Sequence, residues 1–381
     1  MKKNLLFCLL AALTFFSCST SRKMVKTPPA IGQLRLIGKQ VLPHNMPFEG
    51  TTTGGLSGID YDAKRQQYYL ICDDRSDLNP ARFYTAKLYF SQHSFDSVRI
   101  THVTTLLQGD GKPYPNKFTN PARTPDPEAL RYNPAHDFMV WSSEGERIVN
   151  ANDTILANPS LTIMQRNGQY VDTFTLPQIF RMQAGNKGPR RNGGFEGLAF
   201  SADNKQMFVS LEEPRYEDGP RADVNVHNAV TRILRYDVAS RQPLAQYAYQ
   251  LDPVAYPPVS KDSFRINGIA DIMYLGADKL LVLERSFSVG VKDCTIKLYT
   301  ADLTAATDVS GINSLSENKN YTPVKKQLLY NFESLQTYID NIEGVTFGPI
   351  LPNGHPSLVF AADNNFSAAE ESQFFVFEVI P

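Results

Sequence analysis

One short motif recurs five times along this chain, and its spacing leaves few architectures open. The copies are Ser57-Gly58-Ile59-Asp60-Tyr61, Glu128-Ala129-Leu130-Arg131-Tyr132, Glu196-Gly197-Leu198-Ala199-Phe200, Ala270-Asp271-Ile272-Met273-Tyr274 and Glu343-Gly344-Val345-Thr346-Phe347. Successive copies begin 71, 68, 74 and 73 residues apart. Each is followed by a polar turn and a second apolar stretch that ends in an acid. A fixed period of this kind marks a repeat protein, in which each copy is one supersecondary unit stacked on the next.

The third copy shows what the unit is. Glu196 to Phe200 alternates large and small side chains with a period of two, the signature of a strand. Ser201-Ala202-Asp203-Asn204-Lys205 is a turn by composition, and Met207 to Leu211 is a second strand, closed by Glu212-Glu213. Thr231 to Tyr236 and Gln246 to Leu251 read as the third and fourth strands. A four-stranded antiparallel meander repeated radially is a β-propeller. The fold class expected is therefore all-β, with five four-stranded blades. Six is the alternative if one inter-repeat segment hides a degenerate blade. The last copy has room for only three strands, so Gln33 to Lys39 is expected to supply the fourth and close the ring, removing an exposed edge.

The chain has 381 residues, 42% of them hydrophobic, and a formal net charge of −1. That is ample for a large core and leaves no electrostatic footprint for nucleic acid. The first residues are set aside before fold reasoning. Lys2-Lys3 precede an apolar stretch, Leu5 to Phe16, too short for a comfortable membrane span. Ser17-Cys18 follows directly, an arrangement that resembles a bacterial lipoprotein signal. The expectation is a signal peptide over 1–17, a lipidated Cys18 with a polar tether over 18–31, and one propeller domain over 32–381. Such a protein would sit in the cell envelope, on the periplasmic side or at the outer membrane, and touch the membrane through its lipid only. A monomer is expected. Cys72 and Cys294 lie in apolar strands of different repeats and read as buried, inert thiols.

Strand direction places the acids. The start of each first strand and the end of each second strand share one face of the disc. The long irregular loops, Gly109 to Pro127, Arg181 to Gly194 and Pro214 to Asn228, fall on that face, where function usually sits. The opposite face carries short turns such as Asp62 to Gln66 and Asn133 to Asp137. At the long-loop mouth stand Glu128, Glu196 and Glu343, with Ser57 and Ala270 at the same position in the other copies. The second strands add Asp73-Asp74, Glu144, Glu212-Glu213, Glu284 and Asp363. So many carboxylates cannot all ionise unaided. A hard cation such as Ca²⁺ relieves them, and so do arginines, of which Arg75 and Arg285 directly follow their acids. The basic loop Lys187 to Arg191 enters the same mouth. A scaffold role is equally open to the repeated glutamates, each bonding backbone N–H groups of the next blade. His227 is the one histidine expected near the mouth. No nucleophile elbow and no zinc spacing is present.

Gly55-Leu56-Ser57-Gly58-Ile59, Asp126-Pro127-Glu128-Ala129-Leu130, Gly194-Phe195-Glu196-Gly197-Leu198-Ala199 and Asn341-Ile342-Glu343-Gly344-Val345 resemble the phytase-like propeller family, labelled "esterase-like activity of phytase". The resemblance runs over roughly residues 50 to 379. It implies a secreted or envelope propeller that hydrolyses phosphate or carboxylate esters and holds Ca²⁺ in an acidic mouth. In that reading Glu128, Glu196, Glu343, Asp74 and Glu212 hold calcium, and Glu196, Arg75 and Arg285 serve catalysis on a small ester or phosphate. The chain has no dense Lys and Arg run for an inositol polyphosphate. The competing reading is a non-catalytic propeller that binds a sugar, peptide or protein, its mouth lined by loop aromatics such as Tyr114, Phe118 and Tyr216.

Overall fold

The computed structural model describes residues 31–381. The expected signal peptide over 1–17 and the expected lipidation at Cys18 fall outside the described residues. Among the described residues no helix is long and apolar enough to cross a membrane.

Five four-stranded antiparallel sheets form a five-bladed propeller. Blade one runs Gly58–Asp62, Gln67–Ile71, Arg82–Phe90 and Phe95–Thr105, from the channel outward. Blade two is Pro127–Asn133, Phe138–Ser143, Ser160–Met164 and Tyr170–Thr173. Blade three is Phe195–Phe200, Gln206–Leu211, Val230–Asp237 and Pro243–Gln250. Blade four is Arg265–Gly276, Lys279–Ser288, Thr295–Asp302 and Lys325–Asn331. Blade five takes Asn341–Ile350, Pro356–Asp363 and Ser372–Ile380 from the C-terminus and Gln33–Leu42 from the other end of the chain. That N-terminal strand pairs antiparallel with Ser372–Ile380 and closes the ring, pinned by Arg35 Nε donating to Glu378 at 2.6 Å. Two hairpins escape the repeat pattern: Met46–Phe48 with Thr51–Thr53, and Glu146–Val149 with Thr154–Ala157 inside blade two.

The motif's second position explains how closely the blades approach at the axis. A β-carbon on Gly197 would lie 2.6 Å from the Ile272 nitrogen, and one on Gly58 would lie 2.8 Å from the Glu128 oxygen. Only glycine lets the inner strands meet backbone to backbone there. The third position, Ile59, Leu130, Leu198, Ile272 and Val345, is fully buried between the sheets. Cys72 and Cys294 are buried free thiols.

The fourth position closes the channel. Arg131 of blade two reaches across the axis to Asp271 of blade four, with Nη2 at 2.7 Å from Oδ2. The same guanidinium donates to the carbonyls of Ile59, Ile272 and Val345, in blades one, four and five. Asp271 also accepts the Val345 N–H at 2.9 Å. One ion pair therefore ties four of the five blades and divides the channel into two separate mouths.

Removing one partner of a buried pair leaves an uncompensated charge and costs about 3–5 kcal/mol. Arg131→Met should lower stability by about that much in guanidinium unfolding. Arg131→Met with Asp271→Leu should regain part of it, because the Asp271 charge goes too while Asp60, whose carboxyl Arg131 also steadies, remains. An equal loss in the single and double variants would show that the plug does not stabilise through this pair.

Candidate functional site: an acidic mouth

A cavity of about 760 Å³ opens on the long-loop face above the plug. Its carboxylates arrive there by a local irregularity. The inner strands of blades two, three, four and five each shift register at the motif's first position, between Pro127 and Leu130, Phe195 and Leu198, Ile269 and Asp271, and Ile342 and Gly344. A bulge re-aims the extra side chain, and Glu128, Glu196 and Glu343 are the residues so placed. The backbone N–H groups released in two of these bulges are taken up by serines of the second strands. Ser142 Oγ accepts from Ala129 at 2.9 Å, and Ser210 Oγ accepts from Gly197 at 3.1 Å. Ser142 then donates to the Glu196 carbonyl, linking blade two to blade three. In blade one the pairing is regular, and Ser57 Oγ donates to the Glu128 carbonyl at 2.8 Å.

Two groups of three acids converge. Carboxylate oxygens of Asp73, Asp126 and Glu128 lie within 4.8 Å of one another, and so do those of Glu128, Glu144 and Glu196. Glu128 belongs to both. Glu196 meets Glu144 side chain to side chain, and Asp73 meets Asp126, acid against acid. Burial pushes the Glu128 carboxyl well above the ordinary range, and the charges of Glu196, Asp73 and Glu144 push it further. Glu196 is raised by burial and then by Glu144, Glu212 and Glu343. Asp73 is raised by burial and then by Asp126 and Asp363. Such a set must share protons or take up a cation. An all-oxygen donor set at this spacing suits a hard divalent ion, so these buried clusters fit a metal.

Glu212 and Glu343 at this mouth are engaged by an arginine. Arg285 Nη2 lies 2.7 Å from Glu212 and 3.4 Å from Glu343. Burial alone would weaken the Arg285 charge, but Glu343 and Glu212 outweigh it and hold the guanidinium protonated. Gly268 makes room for the Glu212 side chain, since a β-carbon there would fall 2.5 Å from it. Arg75 stands behind the acid ring rather than in the cavity wall, paired with Glu146 and 3.5 Å from Asp126.

The structure thus brings Glu128 and Glu196 into the metal-competent groups and sets Glu212 and Glu343 around Arg285. Asp74 goes elsewhere. Its carboxylate binds Arg82 at 2.6 Å and accepts the N–H groups of Asp77, Leu78 and Asn79, capping a turn. Asp73 is the member of that pair facing the cavity. Glu284 is likewise consumed between blades three and four by Tyr249, Asn267, Lys326 and the Asp252 N–H. Asp126, Arg221 and Lys292 were not singled out by sequence reasoning; the first is in the acid groups and the others line the cavity. Asp126 was legible in principle, two residues before Glu128 in the same motif. Arg221 and Lys292 sit in loops without a repeat to flag them. Arg190, from the basic loop, stacks on Tyr216 at 4.3 Å, while Arg191 lines the cavity. Tyr114, Phe118 and Tyr216 do not line the cavity; Phe264, Phe287 and Tyr338 do. His227 is exposed and outside the cavity wall.

The model of the family described as "Phytase-like: Esterase-like activity of phytase" matches residues 51–366. A protein from Arthroderma benhamiae, described as an uncharacterized secreted protein, is 26% identical over 174 residues; the match covers 42% of this chain and 34% of that protein. Among solved structures, an alpha-L-arabinofuranosidase from Lactobacillus brevis is 9% identical with a TM-score of 0.41, over 85% of this chain and 90% of that one. A gluconolactonase from Xanthomonas campestris is 12% identical with a TM-score of 0.33, over 84% of this chain and 71% of that one.

The crowded acids make stability depend on pH. Burial raises Glu343 from 4.5 to about 7 and Glu213 from 4.5 to about 8, the latter with help from Glu212. A carboxyl whose proton is held more tightly in the folded chain stabilises it fully below its unfolded value and loses that contribution as pH rises through the folded one. The metal-free protein should therefore melt at progressively lower temperature from about pH 4.5 to about pH 8. A divalent cation should restore most at the upper end of that window. Calorimetric melting across pH with a chelator, and then with calcium, measures both; a flat or rising profile in the chelator would contradict the electrostatics described here.

Proposed function

This chain belongs to the phytase-like family, and on that footing we propose that it is a hydrolase of phosphate esters, acting with calcium at the acidic mouth. The observation that carries this reading is the contact of acid with acid, Glu196 on Glu144 and Asp73 on Asp126, inside two overlapping groups of carboxylates at ligand spacing. Side chains that only stiffened the ring would be matched to N–H donors, as Asp74 and Glu284 are.

Glu128 with Glu144 and Glu196, and Glu128 with Asp73 and Asp126, are the residues that would hold the ion. When bound, it would neutralise the acids and draw electron density from an ester oxygen. The chain's own groups do the rest. Arg285 sits in the cavity wall with its charge secured by Glu212 and Glu343, and it orients the anionic group of the ester. Arg191, Arg221 and Lys292 surround the same cavity and favour an anionic substrate over a neutral one. Glu196 accepts a proton from the water whose oxygen bonds to phosphorus, the bond from phosphorus to the ester oxygen breaks, and Glu196 hands the proton to that oxygen so that it leaves as the alcohol. Arg75, braced by Glu146, holds Asp126 in place from behind. Four cations, Arg191, Arg221, Arg285 and Lys292, line the cavity among eight carboxylates, and a phosphate ester gives them more negative charge to meet than a carboxylic ester does. The lipid anchor and a monomeric state complete the proposal, with the enzyme held in the cell envelope.

Glu196→Gln relieves like-charge crowding and is expected to fold. It should weaken calcium binding at least tenfold by titration calorimetry, and lower hydrolysis of p-nitrophenyl phosphate by roughly 10²-fold or more. Arg285→Lys should reduce turnover as well, since a lysine cannot span two carboxylates and a phosphate as a planar fork does. The proposal is lost if the wild type hydrolyses neither p-nitrophenyl phosphate nor p-nitrophenyl acetate with calcium present and Glu196→Gln binds calcium as tightly as wild type.

A further inference from the structure

We infer that the ester taken at this mouth is amphiphilic, with an apolar alkyl or aryl group that lies on the rim of blade four; this rests on reading the mouth as an ester site. Large apolar side chains exposed singly are ordinary, but a contiguous patch beside a cavity marks a binding surface. Tyr256 is 47% exposed, Val259 73%, Phe264 52% and Val289 38%. All four belong to the loop that enters blade four and the end of its second strand.

The patch is held by backbone. The Val259 N–H donates to the Val289 carbonyl at 2.8 Å, and the Val289 N–H to the Phe264 carbonyl at 3.0 Å. Gly290 has φ of +92°, and a β-carbon there would stand 2.5 Å from that of Val259, so only glycine allows the valine to settle on this turn. Surface fixed in this way loses little freedom when a ligand covers it.

Its position identifies what covers it. Phe264 also forms part of the acidic cavity's wall, with the Phe287 ring 6.2 Å away. Beside it a hollow of about 680 Å³ contains Tyr256 and shares Lys292 and Tyr338 with the acidic cavity. The Lys292 ammonium stands 5.0 Å from the centre of the Tyr338 ring, at the junction of the two spaces. Cations at the junction and an apolar lip outside it match a molecule with an anionic head and an apolar tail. A polyphosphate would leave the lip uncovered.

Direct binding of a series of n-alkylphosphonates, methyl to octyl, with calcium present tests this. Affinity for the wild type should tighten by about two- to fourfold per methylene. Val259→Ser with Val289→Ser, both exposed and outside the acidic cavity's wall, should flatten that slope and leave methylphosphonate binding unchanged. A flat series in the wild type, or an unchanged slope in the double variant, overturns the inference. Hydrolysis of p-nitrophenyl phosphate separates it from the reading beneath it. Turnover with a flat phosphonate series removes the apolar subsite alone, whereas a steep series without turnover removes the chemistry and keeps the subsite.

Discussion

The ion pair between Arg131 and Asp271 is the contact on which the rest of this propeller depends. A ring of five sheets leaves a hole at its axis, and the small side chains that let the inner strands meet cannot fill it. One arginine does so, reaching carbonyls in blades one, four and five and a carboxylate in blade four. Its planar fork is suited to this, with several donors in fixed directions. By stopping the channel the pair turns a tunnel into two cups. The acidic cup lies to one side of that pair, and carboxyls buried in it lose solvation while other acids raise the cost of their charge.

That loss is distributed unevenly, and the unevenness marks the site. Asp74 and Glu284 are buried, yet donors surround them. Asp73, Glu128 and Glu196 have other acids for neighbours. Evolved structures accept local conflict of this kind where a ligand later resolves it. The bulges at the motif's first position produce the conflict, because they turn a glutamate into the mouth from three different blades. The serines Ser142 and Ser210 keep the same bulges from leaving backbone donors unpaired.

Several of these features could be read from the chain and several could not. The repeat made the blades, the closing strand and the meeting of Glu128 with Glu196 legible. Period-two alternation and strand direction are enough to say which end of each strand faces which mouth. The same alternation could not choose between Asp73 and Asp74, because a bend at the strand end decides which one turns inward. Nor could it foresee that Arg131 and Asp271, in copies two and four, face each other across the axis. The two hairpins and the fates of Tyr114 and Tyr216 were equally hidden. Tyr114 packs on Trp141, and Tyr216 lies between Arg147 and Arg190.

By itself the sequence determined the fold class, the fivefold repeat and the side of the disc on which the acids gather. Those follow from local periodicity and from a repeat long enough for one four-stranded unit. Only the tertiary structure decided which acids find donors and which find one another, and which cations and apolar residues share their cavity. Those outcomes depend on ångström-scale distances, many of them between residues of different blades, set by how the blades close around Arg131. Strand periodicity carries no information at that scale.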